Sequence, residues 1–167
     1  MMMCYVVVFF LGVNPAPGPY TIESVQRKNF FLSFNKGSPI AILAKNKPRG
    51  FIVVPSLDRK VKGAVSIQLA KNPNVYVRVN PKTKKISIEA KKPGDAAFDK
   101  QATFFLDTDL IEKYVAFKSA AVPNHYIRVL KNQFRLAKKS KDAAFKKAAG
   151  FELEPITGSK EGFFLPY

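Results

Sequence analysis

The sequence has little of the chemistry on which catalytic and metal sites usually depend. Its 167 residues include one cysteine, one histidine and no tryptophan. The single cysteine, Cys4, excludes an internal disulfide framework and a thiolate metal cluster. The single histidine, His125, has no second histidine to work with, which leaves little basis for a metal site or a catalytic triad. We therefore expect no bound metal, no cofactor and no catalytic residue.

Negative charge is also scarce. The chain has 12 Asp and Glu against 28 Lys and Arg, which gives a formal net charge of +16. Such an excess favours polyanionic partners, namely nucleic acid, acidic glycans or an anionic membrane surface. Nucleic acid is the least favoured of these, because no aromatic residues interleave with the lysines to stack on bases.

Many of the lysines fall in clusters that predict a polyanion-binding surface. Their members share positions in turns or just beyond a predicted strand: Lys82, Lys84, Lys85, Lys91, Lys92, Lys138, Lys139, Lys141, Lys146 and Lys147. The alternative interpretation is a solvated lysine-rich surface with no partner, which is the commoner role of any single charge run.

No apolar run is long enough to cross a membrane as a helix. The run from Met1 to Val13 falls short of the ~20 residues that a bilayer requires, so we expect no membrane span. It has the apolar core of a signal peptide, although no Lys or Arg precedes it and residues 14–19 are rich in proline. A degenerate signal segment predicts an extracellular protein. The alternative is a strand, Tyr5 to Phe10, docked onto the domain of a cytoplasmic protein.

Two long motifs recur and organise the rest of the chain. The pattern D-A-A-F-x-K-x-A-x-F-x-L occurs at residues 95–106 and again at 142–153. Upstream of each copy, the pattern P-N-x-Y-[VI]-R-V occurs at residues 73–79 and 123–129. A repeat at this period indicates one supersecondary unit that is copied several times.

Each copy predicts four short strands and no helix. Val75, Val77 and Val79 alternate with polar or aromatic neighbours, which is typical of a half-buried strand. A first, divergent copy begins at Tyr20 and lacks the D-A-A-F segment. Three four-stranded units are too few for a propeller, and they predict an all-β β-trefoil with pseudo-threefold symmetry. The predicted organisation is an apolar segment 1–19 and a domain 20–167, with repeats at about 20–62, 63–112 and 113–157 and a C-terminal strand, Phe163 to Leu165.

These motifs carry a resemblance to a known family. The order of the Y-[VI]-R strand, an alternating strand and a segment in which A-x-F is followed by A-T-F resembles the arabinose-binding domain of α-L-arabinofuranosidase B, a β-trefoil carbohydrate-binding module. The resemblance covers residues 20–157 and is strongest in the second and third copies. The matching residues are Tyr76, Val77, Arg78, Phe98, Ala102, Thr103, Phe104, Tyr126, Ile127, Arg128, Phe145 and Phe151.

The resemblance implies a shallow arabinofuranose pocket in each copy. Its polar contacts would be a histidine after the Y-x-R strand and an aspartate in the D-A-T-F run. In this chain Val79 and Val129 stand at the histidine position, and Gln101 and Ala148 stand at the aspartate position. We therefore expect most of the pocket residues to be lost and the ligand to be an arabinose-containing or an acidic glycan.

Five residues are candidates for sugar contacts: Tyr76, Arg78, Gln101, Tyr126 and Arg128. The tyrosine rings could stack on a sugar. Alternatively, they could cover the barrel with their hydroxyl groups hydrogen-bonded. The arginines, which recur in the same place, could instead order the hairpins in which they lie.

We expect a non-catalytic, monomeric module. The resemblance implies that the hydrolytic carboxylates of the parent enzyme lie in a separate catalytic domain. Glycoside hydrolysis needs two carboxyl groups across one bond, and no spacing of Asp and Glu in this sequence indicates such a pair. The alternative function is that of a basic β-trefoil interaction or signalling protein, which would bind sulfated glycans or protein partners through its lysines.

Overall fold

A computed structural model describes residues 18–156. Cys4, most of the apolar N-terminal segment and the predicted C-terminal strand, Phe163 to Leu165, lie outside the described residues. The extracellular location therefore stays a prediction. Within the described range, no helix has the length and apolar character to cross a bilayer.

The described residues form twelve strands and two short helices. The strands are β1 (Tyr20–Ser24), β2 (Phe30–Phe34), β3 (Ala41–Lys45), β4 (Phe51–Pro55), β5 (Val65–Leu69), β6 (Asn72–Val79), β7 (Ile86–Ala90), β8 (Phe104–Asp107), β9 (Ala116–Ser119), β10 (His125–Leu130), β11 (Gln133–Lys138) and β12 (Phe151–Pro155). The helices are α1 (Ala96–Gln101) and α2 (Ala143–Ala149). We call β1–β4 the first repeat, β5–β8 the second and β9–β12 the third.

The outer strands of the three repeats close into a six-stranded barrel. Strands β4 and β5, β8 and β9, and β12 and β1 form the long antiparallel pairs. Shorter contacts join β1 to β4 and β5 to β8, and a bridge just before β9, Val115 to Phe151, joins the third repeat to β12. Closure leaves none of these six strands with a free edge, which apolar strands of this kind require.

The inner strands form three hairpins that cap the barrel. They are β2–β3, β6–β7 and β10–β11. Each hairpin contacts the next through one pair of residues: Ile40 with Ser87, Lys85 with Arg135, and Gln133 with Ile42. A closed six-stranded barrel with three mutually joined hairpins is a β-trefoil, so the predicted fold class is confirmed.

Apolar side chains fill the barrel interior. Phe51, Phe104 and Phe151 begin the last strand of each repeat, and none is more than 1% exposed. The rings of Phe134 and Phe117 lie 5.9 Å and 5.5 Å from that of Phe151. The cavity at the centre of this core has a volume of about 10 Å³. Since that is room for about one water molecule, a ligand has to bind on the outer surface.

The two helices correct the prediction of strands and turns alone. They are the D-A-A-F segments, and each begins after an aspartate that caps its N-terminus. The Oδ1 atoms of Asp95 and Asp142 accept hydrogen bonds from the backbone N–H of Phe98 at 3.0 Å and of Phe145 at 2.7 Å. Both phenylalanines are buried. The helices are too short to show a 3.6-residue period in the sequence, which is why the pattern did not reveal them.

Candidate functional site

Tyr76 and Tyr126 lie in the interior rather than on a sugar-binding surface. They are 8% and 1% exposed, and the Tyr126 ring packs edge-on against Phe145 at 6.4 Å. Tyr76 packs in a buried cluster with Phe98, and its hydroxyl accepts a hydrogen bond from Nε2 of Gln68 at 3.0 Å. Stacking on a sugar would require either ring to leave its cluster, so we assign both to packing of the helices on the barrel.

The Tyr126 hydroxyl makes a charged hydrogen bond. It donates to Oδ2 of Asp107 at 2.6 Å. Burial, together with this bond, raises the pKa of Tyr126 well above its usual range. Burial opposes the charge of Asp107, but the bonds from Tyr126 and from the backbone N–H groups of Asp109 and Leu110 outweigh it and lower the pKa of that carboxyl.

The second repeat brings two predicted site residues together. Nε of Arg78 donates to Oε1 of Gln101 at 2.7 Å, and Nη1 of Arg78 lies 3.4 Å from Oε2 of Glu89. The Ser87 hydroxyl donates to the same Glu89 oxygen at 2.5 Å. The Arg78 guanidinium also lies 5.1 Å from the centre of the Phe98 ring. We call Arg78, Ser87, Glu89 and Gln101 the second-repeat polar cluster.

The second-repeat polar cluster is open to solvent on one side. The side chains of Arg78 and Glu89 are 24% and 34% exposed. Ser87 and Glu89 were missed at the sequence level. The signal that would have found them is their alternation on β7, which places both on the outer face beside Arg78.

The third repeat keeps the arginine but loses its partners. Arg128 faces Arg135 across β10 and β11, as Arg78 faces Ser87 across β6 and β7. Ala137 and Ala148 stand where the second repeat has Glu89 and Gln101. Nε of Arg128 is buried and has no hydrogen-bond partner among residues 18–156. Arg135 was not predicted as a site residue, although aligning residues 86–88 with 134–136 would have shown it.

The predicted lysines lie at two different ends of the hairpins. Lys82, Lys84 and Lys85 lie in the β6–β7 turn, where Nζ of Lys84 donates to the Pro81 carbonyl at 2.6 Å. Lys91 and Lys92 follow the other end of β7, about 20 Å from Lys85 at 3.4 Å per strand residue. Lys91 is paired with Asp99 at 3.4 Å.

The remaining predicted lysines end β11, follow it or lie on α2: Lys138, Lys139, Lys141, Lys146 and Lys147. These five lysines therefore belong to the third repeat, whereas Lys82, Lys84 and Lys85 belong to the second. They lie at the open end of the β10–β11 hairpin, which is the end opposite its turn. The structure divides the ten lysines between the turn end and the open end of the hairpins.

Three carboxylates meet where the first and last strands pair. Each of Glu23, Glu152 and Glu154 has an oxygen within 4.8 Å of an oxygen of the other two. Spacing along the sequence could not reveal this cluster, because its members come from β1 and β12. Glu23 accepts a hydrogen bond from the backbone N–H of Asn29 at 2.6 Å, and Lys28 pairs with Glu152 at 3.1 Å. Since Glu23 and Glu152 already have protein partners, we assign no metal ion to the cluster.

A surface depression of about 460 Å³ lies beside the Tyr126–Asp107 bond. It combines carboxylate, ammonium and apolar groups from the end of the second repeat and from the third. Its lining consists of Phe105, Leu106, Asp107, Thr108, Asp109, Lys118 and Lys139.

Comparison with known proteins gives one family and one fold. The family model described as the alpha-L-arabinofuranosidase B (ABFB) domain matches residues 20–153. Comparison with curated proteins gave no match. A solved GH54 α-L-arabinofuranosidase superimposes with a TM-score of 0.69 and 14% identity over 86% of this chain and 32% of its own. The chain thus spans about a third of the length of the arabinofuranosidases that it matches.

Two further structures have the same fold. The BEL β-trefoil superimposes with a TM-score of 0.64 and 12% identity over 89% of this chain and all of its own. A lectin of Polyporus squamosus, solved bound to a glycan epitope, has a TM-score of 0.63 and 12% identity over 84% of this chain and 50% of its own. At these identities the likeness establishes the fold.

Proposed function

Because the chain belongs to the alpha-L-arabinofuranosidase B (ABFB) domain family, we propose that it is a non-catalytic carbohydrate-binding module. The observation that carries the proposal is the second-repeat polar cluster, in which Arg78 and Gln101 lie at the family's motif positions. Sugar hydroxyls both donate and accept hydrogen bonds, and the cluster offers both kinds of group. Its arginine, amide and carboxylate groups converge within one partly exposed region.

The proposed ligand of this cluster is an arabinose-containing polysaccharide. Gln101 takes the place of the family's aspartate and keeps hydrogen-bonding capacity there. Val79 and Val129, at the family's histidine position, are 0% and 1% exposed and face the core. They can make no polar contact with a ligand, so the site depends on Arg78, Glu89 and Gln101 instead.

The absence of catalysis is part of the proposal. Hydrolysis requires a glycosidic bond held between two carboxyl groups. The second-repeat polar cluster has a single carboxylate, Glu89, which is already bonded to Arg78 and Ser87. The cluster of Glu23, Glu152 and Glu154 has the right kind of groups, but none of the three lines either cavity described above.

Calorimetric titration with arabinan oligosaccharides tests the proposed site. Gln101→Ala is expected to weaken binding about five- to tenfold, because it removes one hydrogen-bonding group worth about 1 kcal/mol. Lys100→Ala is the matched control, since Lys100 is an exposed neighbour on the same helix. Gln101→Asp restores the family's aspartate and is expected to tighten binding. Failure of both the natural chain and Gln101→Asp to bind arabinan would overturn the proposal.

The alternative of a lysine-based interaction protein has less support. It requires the predicted lysines to act together. Three of them lie at the turn end of the β6–β7 hairpin, and the others lie at the open ends of the hairpins. Lys84 and Lys91 also have partners within the protein. If the net charge gives the chain an affinity for anions, we expect that affinity to come from a smaller group of neighbouring cations.

A further inference from the structure

The trefoil cap contains three equivalent rows of residues. At each junction between hairpins, one residue pairs with a partner in its own hairpin and with another in the neighbouring hairpin. In the first, second and third repeats the rows are Ser33–Ile42–Gln133, Arg78–Ser87–Ile40 and Arg128–Arg135–Lys85. The first row has no charge, the second has one arginine, and the third has three cations. We call Arg128, Arg135 and Lys85 the cationic row.

The three cations of this row point to the same outer face. Residues directly opposite each other in paired strands project to one side of the sheet, with Cβ atoms about 5 Å apart. Phe134 and Leu136, on either side of Arg135, are 3% and 4% exposed and point inward. Like charges directly opposite each other destabilise a sheet. The row therefore costs stability that the equivalent rows do not.

No acidic group within the hairpin compensates this charge. The second repeat holds Arg78 with Glu89 and Gln101, whereas the third repeat has Ala137 and Ala148 at those positions. Within residues 18–156, Nε of Arg128 has no hydrogen-bond partner. Nη1 of Arg135 donates to the backbone carbonyl of Thr83 at 3.4 Å.

Asp142, an acid whose charge acts on Arg128, is already bonded to the helix that it caps. Asp142 accepts a hydrogen bond from the Phe145 backbone through Oδ1 and one from the Ser140 hydroxyl through Oδ2. The aspartate is therefore fixed at the start of α2. Its charge acts on Arg128 without a hydrogen bond between them.

We propose that the cationic row binds an acidic saccharide, whose carboxylate or sulfate groups are held by Arg128, Arg135 and Lys85. Arginine side chains are suited to this role, because their planar donors match the oxygens of carboxylate and sulfate. The row crosses two strand spacings, about 10 Å, so it can face more than one anionic group of a polymer. The inference rests on the proposed function, since it names the ligand class of a second site in the same module.

Titration with two anionic ligands and one neutral ligand tests the row. The probes are oligogalacturonate for carboxylate, a heparin oligosaccharide for sulfate, and arabinan. Arg135→Ser copies the residue of the second repeat and is expected to weaken binding of the preferred anionic probe at least tenfold. Lys138→Ser is the matched control, because it removes the same charge at the far end of the same strand and is expected to change affinity less than twofold.

The outcomes separate this inference from the proposed sugar site. If Arg135→Ser and Lys138→Ser weaken binding of the anionic probe equally, the affinity comes from the overall positive charge and not from the cationic row, and the inference is wrong. Failure of both anionic probes to bind, with arabinan bound, would overturn the row alone. Anionic binding without arabinan binding would leave the row standing and remove the sugar site of the second repeat.

Thermal unfolding supplies a readout that does not need the ligand. Because the three cations repel one another, Arg135→Ser is expected to raise Tm at low salt. The anionic probe is expected to raise the Tm of the natural chain but not that of the variant. A lower Tm for Arg135→Ser without ligand would contradict the repulsion on which the inference depends.

Discussion

The second and third repeats have the same order of strands and helix and an arginine at the same position, but they treat its charge in opposite ways. In the second repeat Arg78 is hydrogen-bonded to Gln101 and paired with Glu89. In the third, Arg128 faces another arginine and its Nε has no partner in the described residues. The comparison teaches that the hairpin geometry fixes where the arginine lies, while its neighbours decide whether its charge is neutralised inside the protein or left for a ligand.

The helices extend this difference. Asp99 in α1 corresponds to Lys146 in α2, so the second repeat has an acid where the third has a further cation. Asp99 pairs with Lys91 at 3.4 Å. The second repeat (63–112) thus has a formal net charge of only +2, whereas the first (20–62) and the third (113–157) have +7 each. Five predictions break or sharpen this comparison, and we give them in order of expected effect.

The largest effect is expected from removing the helix anchors. Phe98→Ala and Phe145→Ala each delete a buried ring, which costs about 3–5 kcal/mol in the free energy of unfolding. Phe98 also lies beneath Arg78, so its loss is expected to weaken arabinan binding, while Phe145→Ala leaves that binding unchanged. Chemical denaturation and titration under folding conditions measure the two effects. Equal losses of arabinan affinity would show that the repeats are not independent.

The next effect concerns the two buried tyrosines. Tyr126→Phe removes a bond to a carboxylate and is expected to cost about 1.5–3 kcal/mol, whereas Tyr76→Phe removes a neutral bond worth about 1 kcal/mol. Denaturant titrations of both variants measure the difference. Similar costs would mean that the charge of Asp107 adds nothing to the bond.

The same bond gives the chain a pH dependence at both extremes. The pKa of Asp107 is lowered on folding, so its contribution is lost as the pH falls below about 4 and the carboxyl is protonated. The pKa of Tyr126 is raised on folding, so its contribution is lost as the pH rises above about 10. The Tyr126→Phe variant is expected to lose the part of the alkaline dependence that Tyr126 contributes and to keep a weaker acidic dependence. An unchanged alkaline profile would exclude Tyr126 as its source.

Placing an arginine in the second repeat is the converse of the test on Arg135. Ser87→Arg sets a cation opposite Arg78 and removes the Ser87–Glu89 bond, which is expected to lower stability by about 1 kcal/mol. It is also expected to give the second repeat a measurable affinity for the anionic probe. Glu89 remains as a counter-charge, so Ser87→Arg with Glu89→Ala should bind more tightly than Ser87→Arg alone. If neither variant gains affinity, a row of cations is not sufficient for the site.

The smallest effect is the salt dependence of the cationic row. The gain in stability of Arg135→Ser over the natural chain is expected to be a few tenths of a kcal/mol at low salt. It should vanish near 1 M salt, where the screening length is about 3 Å. Denaturant titrations at the two salt concentrations measure this difference. A gain that persists at high salt would trace to packing rather than to charge.

The sequence revealed the strands and the repeat motifs because both are local. Alternation at Val75, Val77 and Val79 is a property of adjacent residues, and all three lie in β6 as predicted. The six- and seven-residue helices α1 and α2 were missed, because a helix of fewer than two turns shows no period. The aspartate before each D-A-A-F segment was the available signal, as a capping residue.

The site could be predicted only in part, for the same physical reason. Arg78 and Gln101 come from the repeat motif and lie together. The partnership of Lys85 with Arg135, and that of Glu23 with Glu152, arise from pairing between distant strands. The register of such pairs is fixed by closure of the barrel and by contact between hairpins, which no short stretch of sequence encodes.

The pairing of β1 with β12 also sets the order in which the molecule can be completed. Five residues of β1 have their partners in β12, the last strand that the structure describes. During synthesis the apolar edge of β1 therefore stays unpaired until almost the whole domain has emerged, and closure of such a long loop is slow. A chain that stopped before Phe151 would leave open both this edge and the bridge at Val115. We expect such truncated chains to aggregate rather than to fold as two complete repeats.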